Sequence, residues 1–246
     1  MQEELWFTAL LNHAFARPVN AVMQALPPIF HPKNPAAPIS DPVAMEILVV
    51  AFLIVLFLLI RSLLTVEKPG FLQHIAEITD QFITNQSKEI IGPHSEKFTP
   101  FLLALFVFIL FSNLIGLIPS LESPTATGAV PLGCAVVAFI YYNLHGLKVQ
   151  GPVKFVRHFM GPIWWLAALM FPIEIISTLA RVMSLSIRLY ANMFAGDMVI
   201  AAFFVLIPIG IPVIFLFLHV FVSFLQAYIF ALLNMIYLQG VVTQEH

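Results

Sequence analysis

Charge is the scarcest commodity in this sequence. Asp, Glu, Lys and Arg together make up 10% of its 246 residues, and the formal net charge is -2. A soluble domain carries roughly 25% charged residues, so an ordinary water-facing surface cannot be built from this chain. There is no basic run or patch to attract a nucleic acid. There is one cysteine, Cys134, which excludes an intrachain disulfide framework and a multi-cysteine metal site. Walker A glycines, an H-E-x-x-H helix and a G-x-S-x-G elbow are all missing. The chain therefore offers no phosphate cradle, zinc-hydrolase helix or serine-hydrolase turn. The opening residues "MQEELWFTALLNHAFARPVN" have no basic leader region, no clear cleavage site and no Ser/Arg enrichment. They read as neither a signal nor a transit peptide.

What is present is apolar. Hydrophobic residues make up 60% of the chain, and the mean hydropathy is +0.95. At about 20 residues per crossing, this length holds about five or six membrane spans. Residues 1–43 are mixed; a short interfacial helix near 4–15 gives way to a Pro-rich segment that reads as extended. The spans are expected at about 44–64, 98–118 and 129–145, followed by two long helices at about 164–195 and 198–240. Between the first two spans, segment 67–97 is polar, with Phe71, Leu72, Ile75, Ile78, Phe82 and Ile83 at helical spacing. That pattern is an amphipathic helix lying on the membrane or against a partner. The expected fold is an all-α polytopic membrane protein with a C-terminal hairpin of long, tilted helices. Residues 1–43 form an arm and 44–246 one membrane domain.

Loop charges give an orientation. Lys and Arg gather in the 65–97 and 146–162 loops and are absent from 119–128. By the positive-inside rule the two basic loops and the C-terminus lie inside and the N-terminus outside.

The long helices carry polar residues that lipid does not tolerate cheaply. Glu174, Arg181 and Arg188 are seven residues apart, so at 100° per residue each is displaced by about 20° from the last. Ser177, Thr178, Ser184 and Asn192 fall on the same stripe. On the next helix His219, Ser223 and Gln226 share a face, with Asn234 off that line. Many of these side chains can satisfy one another within a helix interface, as Glu174 can with Arg181 or Thr178. Arg188 is different. It has no acid within a turn on its own helix, and Asp197 is nine residues away. One Arg at a bilayer centre costs about 2.5 to 17 kcal/mol by different methods, so Arg188 calls for an anion from elsewhere. It does not relay protons by losing its own, since its pKa is above about 12. It is suited instead to displacing the proton of a mobile carboxylate, whose pKa a nearby Arg lowers by roughly 1–3 units.

On three stretches the sequence resembles the a subunit of the F-type ATP synthase membrane sector. They are "MSLSIRLYANMFAGD", "FPIEIIS" and "FLFLHVFVSFLQAYIFALLNMIYL"; "FSNLIGLIPS" fits the family's second hairpin. The resemblance runs in order over about 44–242. It implies a stator subunit without catalytic residues, cofactor or metal. Such a subunit lies beside a ring of c subunits, with peripheral-stalk b subunits as further partners, and carries protons through two offset half-channels. By the same resemblance Arg188 faces the ring carboxylate and Gln226 sits opposite it. Glu174, His219 and Asn192 line the path, and Arg181 and Asp197 occupy positions often polar in the family. A bacterial plasma membrane is the implied location. Two departures stand out: Gly116 occupies a position acidic in some bacterial members, and the loop "ESPTATGAVPLG" is unusually rich in Pro and Gly. Glu122, in that loop, is a candidate substitute acid at the outer entrance. The residues alone leave open a proton-coupled secondary transporter, although no repeated half is visible. An intramembrane hydrolase would need more than His219 and Ser223 one turn apart.

Overall fold

The computed structural model describes residues 5–24, 37–65, 69–93, 95–118, 121–151, 167–207 and 210–242. Among them the regular structure is entirely helical: α1 (Trp6–Gln24), α2 (Asp41–Ser62), α3 (Phe71–Ile91), α4 (Thr99–Leu114), α5 (Ala129–Gln150), α6 (Ala167–Leu206) and α7 (Ile211–Val242). Short 3-10 turns sit at Ser95–Lys97, Ile115–Leu117 and Pro124–Ala126. Five stretches are long and apolar enough to cross a membrane: Asp41–Ser62, Thr99–Leu117, Ala129–Lys148, Leu169–Leu206 and Ile211–Val241. The chain is an all-α polytopic membrane protein.

Three boundaries differ from the sequence expectation; the simplest is α5, which runs on to Gln150 past the expected end at 145, so that 146–150 are helix and not loop. α1 continues past Pro18 to Gln24, beyond the expected end near residue 15; the proline's φ near −65° is helical, but its ring removes one N–H donor and crowds the Ala14 carbonyl one turn back, at about 3 kcal/mol. Its first half is tied to the start of α2. Asn12 Nδ2 donates to the Ile39 carbonyl at 3.1 Å and Asn12 Oδ1 accepts from the Ile39 N–H at 3.0 Å. The third difference concerns the hairpin. The break does not fall at 195–198; α6 runs unbroken through Ala195, Gly196 and Asp197 to Leu206. A single internal glycine costs about 1 kcal/mol, too little to end a packed helix. The chain turns instead where Gly210 takes a left-handed φ of 92°, between Pro208 and Pro212 of the sequence. The 25–36 part of the expected extended segment and most of the 146–162 loop lie outside the described residues.

The bundle is assembled around α7, which packs on α3, α4, α5 and α6. Ala227, Phe230, Ala231, Met235 and Leu238 of α7 are buried against Leu102, Phe106 and Ile109 of α4 and Leu185, Leu189 and Met193 of α6. The small Ala227/Ala231 and Ala135/Ala138 pairs let backbones approach closely, which is how helices associate without a hydrophobic drive in lipid. α3 is the helix expected there: Ile83, Ser87 and Ile91 are buried, whereas Phe71, Leu72, Ile75 and Ile78 of the apolar set are exposed. Gly92, at φ 90°, ends it. Its inner face is pinned by Tyr228, whose hydroxyl donates to Gln86 Oε1 at 3.1 Å.

A polar network fixes the loop between α4 and α5. Asn113, wholly buried on α4, donates to the Ser223 carbonyl of α7 at 3.2 Å and accepts from Thr125 Oγ1 at 2.7 Å. Ser123 Oγ donates to the Ser112 carbonyl at 2.9 Å. Asn113→Leu keeps the volume but removes the acceptor of the Thr125 hydroxyl and the donor to the Ser223 carbonyl, leaving Thr125 only its 2.8 Å contact with Ser123 Oγ; a buried polar group that loses a partner costs about 1–3 kcal/mol. The expected result is a lower unfolding temperature of the detergent-solubilised complex, read against an exposed control such as Ile118→Leu; an unchanged temperature would remove the network from the stability of the hairpin.

Candidate functional site

α6 is the longest helix and the least covered of the candidate spans, with 11% of its most apolar window buried. Its 40 residues extend about 60 Å against a hydrocarbon core of about 30 Å. Inside a bilayer it must tilt steeply or run partly along the surface. The polar side chains fall along it at three levels.

Near the N-terminal end, Glu174 Oε1 lies 3.8 Å from Arg181 Nη2. Thr178 does not pair with the carboxylate; its hydroxyl donates to the Glu174 backbone carbonyl at 2.7 Å. The Arg181 guanidinium sits over the Tyr237 ring of α7 at 5.7 Å, and Tyr237 in turn meets Tyr142 of α5, ring centres 5.8 Å apart. Tyr237 is a neighbour that the spacing argument missed, because an aromatic in an apolar run carries no polar signal of its own.

Arg188 lies midway, fourteen residues beyond Glu174 or about 21 Å along the axis. Among the described residues no carboxylate reaches ion-pair distance of it. Its one hydrogen-bond contact there is Ser184 Oγ, at 3.5 Å and one turn back. No hydrogen bond joins it to Gln226, which is 9% exposed on α7.

Toward the other end, His219 of α7 is buried, with Nε2 3.8 Å from Asp197 Oδ1 of α6. That nitrogen has no hydrogen-bond partner among the described residues. Gly196 makes room for the ring: a Cβ there would come 2.7 Å from His219 Nδ1. Asn192, Gly196 and His219 share the lining of a cavity of about 270 Å³ between the two helices. Asn192 is one turn from Arg188 along α6. Gly196 was missed as a site residue; its signal was its place one turn beyond Asn192 on the polar stripe. Ser223 is buried beneath, against Met193 Sδ at 3.9 Å. Among the described residues Asn234 bonds back to the Phe230 carbonyl, at 2.8 Å.

The fold and these buried polar side chains define a multi-pass membrane protein with ionisable groups distributed along one helical hairpin, the arrangement of an ion-conducting subunit. The family model for the ATP synthase A chain matches residues 43–239. The protein named ATP synthase subunit a from Koribacter versatilis is 52% identical over 248 residues, covering 100% of both chains. Those of Solibacter usitatus (47%, 86% of this chain and 91% of that one) and Geotalea uraniireducens (41%, 84% and 90%) are also similar. The chain belongs to the ATP synthase A chain family. It is accordingly a membrane subunit of an ATP synthase, acting within a complex of other subunits.

Proposed function

We propose that this subunit is the non-catalytic stator through which protons reach and leave the carboxylates of a rotating c-ring. The observation that carries the reading is Arg188: a permanent cation in a membrane helix, with no carboxylate at ion-pair distance among the described residues, set between two groups of titratable side chains. Protons enter by Glu122-side water, Asp197 and His219, and are handed past Asn192 to a ring carboxylate. After the ring has turned they leave past Glu174 and Arg181. The poorly covered face of α6 around Arg188, where Ser184, Ala191, Asn192 and Ala195 are exposed, is the surface that meets the ring. Gln226 faces the same junction from α7. The exposed apolar edge of α3 and the outer helices meet peripheral-stalk b subunits and lipid.

The N-terminal arm, residues 1–43, lies outside, the C-terminus is cytoplasmic and the membrane is a bacterial plasma membrane. In this orientation the Asp197–His219 level opens outward and the Glu174 level inward. Family membership leaves the secondary transporter and hydrolase alternatives without support. At 3.8 Å the His219–Asp197 pair is in ion-pair range but beyond hydrogen-bond distance, and closing it by under about 1 Å allows direct proton transfer.

The experiment is ATP-driven proton pumping by the purified complex carrying Glu174→Gln. The glutamine keeps the shape but binds no proton. The Glu174–Arg181 pair is part-exposed, so losing it costs under about 1 kcal/mol, and assembly should survive. Pumping should slow severalfold while the ring still co-purifies. Unchanged pumping would remove Glu174 from the path.

A further inference from the structure

A crevice of about 610 Å³ between α2, α4 and α5 lies apart from the polar stripe of α6. Its floor is apolar: Leu105, Val130 and Cys134 are buried there, while Val43, Val50 and Val137 at its rim are exposed. The rim residues stand on membrane spans, so the crevice opens sideways toward lipid. One charged side chain reaches into it. Glu46 lies five residues into α2, about 7.5 Å from its start, and is the only charge on that helix between Asp41 and Arg61. The ion pairs among the described residues are Glu174–Arg181 and Asp197–His219, so Glu46 has no cation. It makes no hydrogen bond there either. Asp41, the nearest acid on α2, is already engaged: its Oδ1 accepts from the Leu5 N–H at 3.3 Å. α4 carries no charge, and α5 carries none before Lys148 at its far end.

A carboxylate in a membrane span calls for a partner. Water needs about two to four polar groups to stay in a cavity. Beside Glu46 the lining offers Ser40 and Thr127, and Thr127 Oγ1 already donates to the Pro124 carbonyl at 2.8 Å. A metal ion needs several oxygen ligands, and no cluster of three His, Cys, Asp or Glu side chains exists among the described residues. A long apolar body with a cation at one end meets every feature of the crevice. We propose that it is a specific site for a lipid with a primary ammonium headgroup, phosphatidylethanolamine, whose ammonium pairs with Glu46 while one acyl chain lies along the apolar floor. Sites of about 300–1,000 Å³ with mostly apolar walls and a few placed polar groups are those that hold amphiphiles of this kind. A primary ammonium has N–H donors for both carboxylate oxygens, whereas the trimethylammonium of a choline lipid has none. Ser40 caps α2 without a side-chain hydrogen bond, which leaves its hydroxyl for the lipid phosphate. α2 packs on α4 and on the Pro124–Ala126 turn, and the chain fills the space between it and α5. The inference rests on helix packing alone and is independent of the half-channel reading.

The test is photo-cross-linking of the whole complex in nanodiscs, with phosphatidylethanolamine carrying a photoactivatable group in one acyl chain and the label mapped by mass spectrometry. Label should concentrate on segments 43–50 and 129–137 over the other lipid-facing spans. Glu46→Gln should lower it there by roughly fivefold, the most that a part-exposed ion pair gives. Glu46→Asp, which keeps the charge, should label more than Glu46→Gln. The same probe with a choline headgroup should label parent and Glu46→Gln alike, at the lower level. Gly133 lines the crevice and a Cβ there would meet nothing within 4 Å, so Gly133→Leu fills the space without displacing a helix. It should remove the label, with the ring still co-purifying. Equal labelling of parent and Glu46→Gln by the ethanolamine lipid would mean that chains enter without regard to headgroup, and would overturn the site. So would equal labelling of the parent by the two lipids. An unlabelled crevice in the parent, with cross-links from neighbouring subunits in its place, would make it a protein interface and overturn the lipid reading.

Discussion

Replacing Arg188 with Ala is expected to abolish both ATP-driven proton pumping and proton-driven ATP synthesis in a complex that still assembles. The reason lies in what the cation does to a passing carboxylate. A nearby arginine lowers a carboxylate's pKa by roughly 1–3 units, and each unit is about 1.4 kcal/mol. One proton moving through 100 mV yields about 2.3 kcal/mol. The two energies are of the same size, so the arginine can dislodge a proton that the membrane potential alone would leave bound. The same charge repels a proton moving straight from the Asp197 level to the Glu174 level. Without it, only neutral side chains, Ser184 and Asn192 among them, separate the Asp197 level from the Glu174–Arg181 pair. Stability should be little affected, because Arg188 makes a single long contact to Ser184, at 3.5 Å, and removing it breaks no ion pair among the described residues. Arg188→Lys should also fail at coupling, since an ammonium is a compact, strongly hydrated charge that gives up its proton when desolvated. The check is pumping and synthesis in reconstituted vesicles, with ring pull-down as the control for assembly. Normal activity in Arg188→Ala would make the residue a structural charge and overturn the functional reading.

Arg188 was legible in the sequence because cost makes a signal. An arginine in an apolar run is so expensive that its presence alone demands a partner. The seven-residue spacing of Glu174, Arg181 and Arg188 also placed them correctly on one stripe, because spacing along a helix is geometry fixed by the chain. Helix ends were harder. The break was expected near 195–198, whereas the helix passes through Gly196 and the chain turns at Gly210. The sequence alone cannot say whether a glycine is there to bend the backbone or to clear space for a neighbour, because the neighbour comes from another helix. The same limit hid Tyr237 beneath Arg181, and the docking of Ser123 on Gly116. Each is a contact between elements far apart in the chain. The pairing of His219 with Asp197 is of this kind too: both residues were visible, but their meeting depends on the register of α6 against α7.

Gly196 gives that register its sharpest test. On helix propensity alone, Gly196→Ala should stabilise α6 by about 0.8–1.0 kcal/mol. The structure predicts the reverse. The new methyl would lie 2.7 Å from His219 Nδ1 and 3.1 Å from Cε1, and the ring is buried at 4% exposure, so it has little room to retreat. Overpacking of this kind costs about 1–3 kcal/mol. The ring must rotate or withdraw, which takes Nε2 away from Asp197 and interrupts proton transfer. Gly196→Ala should therefore pump roughly as slowly as His219→Ala. A positioned acid–base group contributes about 10²-fold or more where it transfers the proton, so both variants should fall well below the parent. The decisive comparison is the double variant. With His219 already cut back to Ala, the methyl at 196 meets nothing, and Gly196→Ala/His219→Ala should be no slower than His219→Ala alone. Such non-additivity is what two residues in contact show, whereas independent sites add. If the two losses multiply, Gly196 acts through something other than the histidine. If Gly196→Ala pumps normally, the packing of His219 against α6, and with it the register of the hairpin, is wrong.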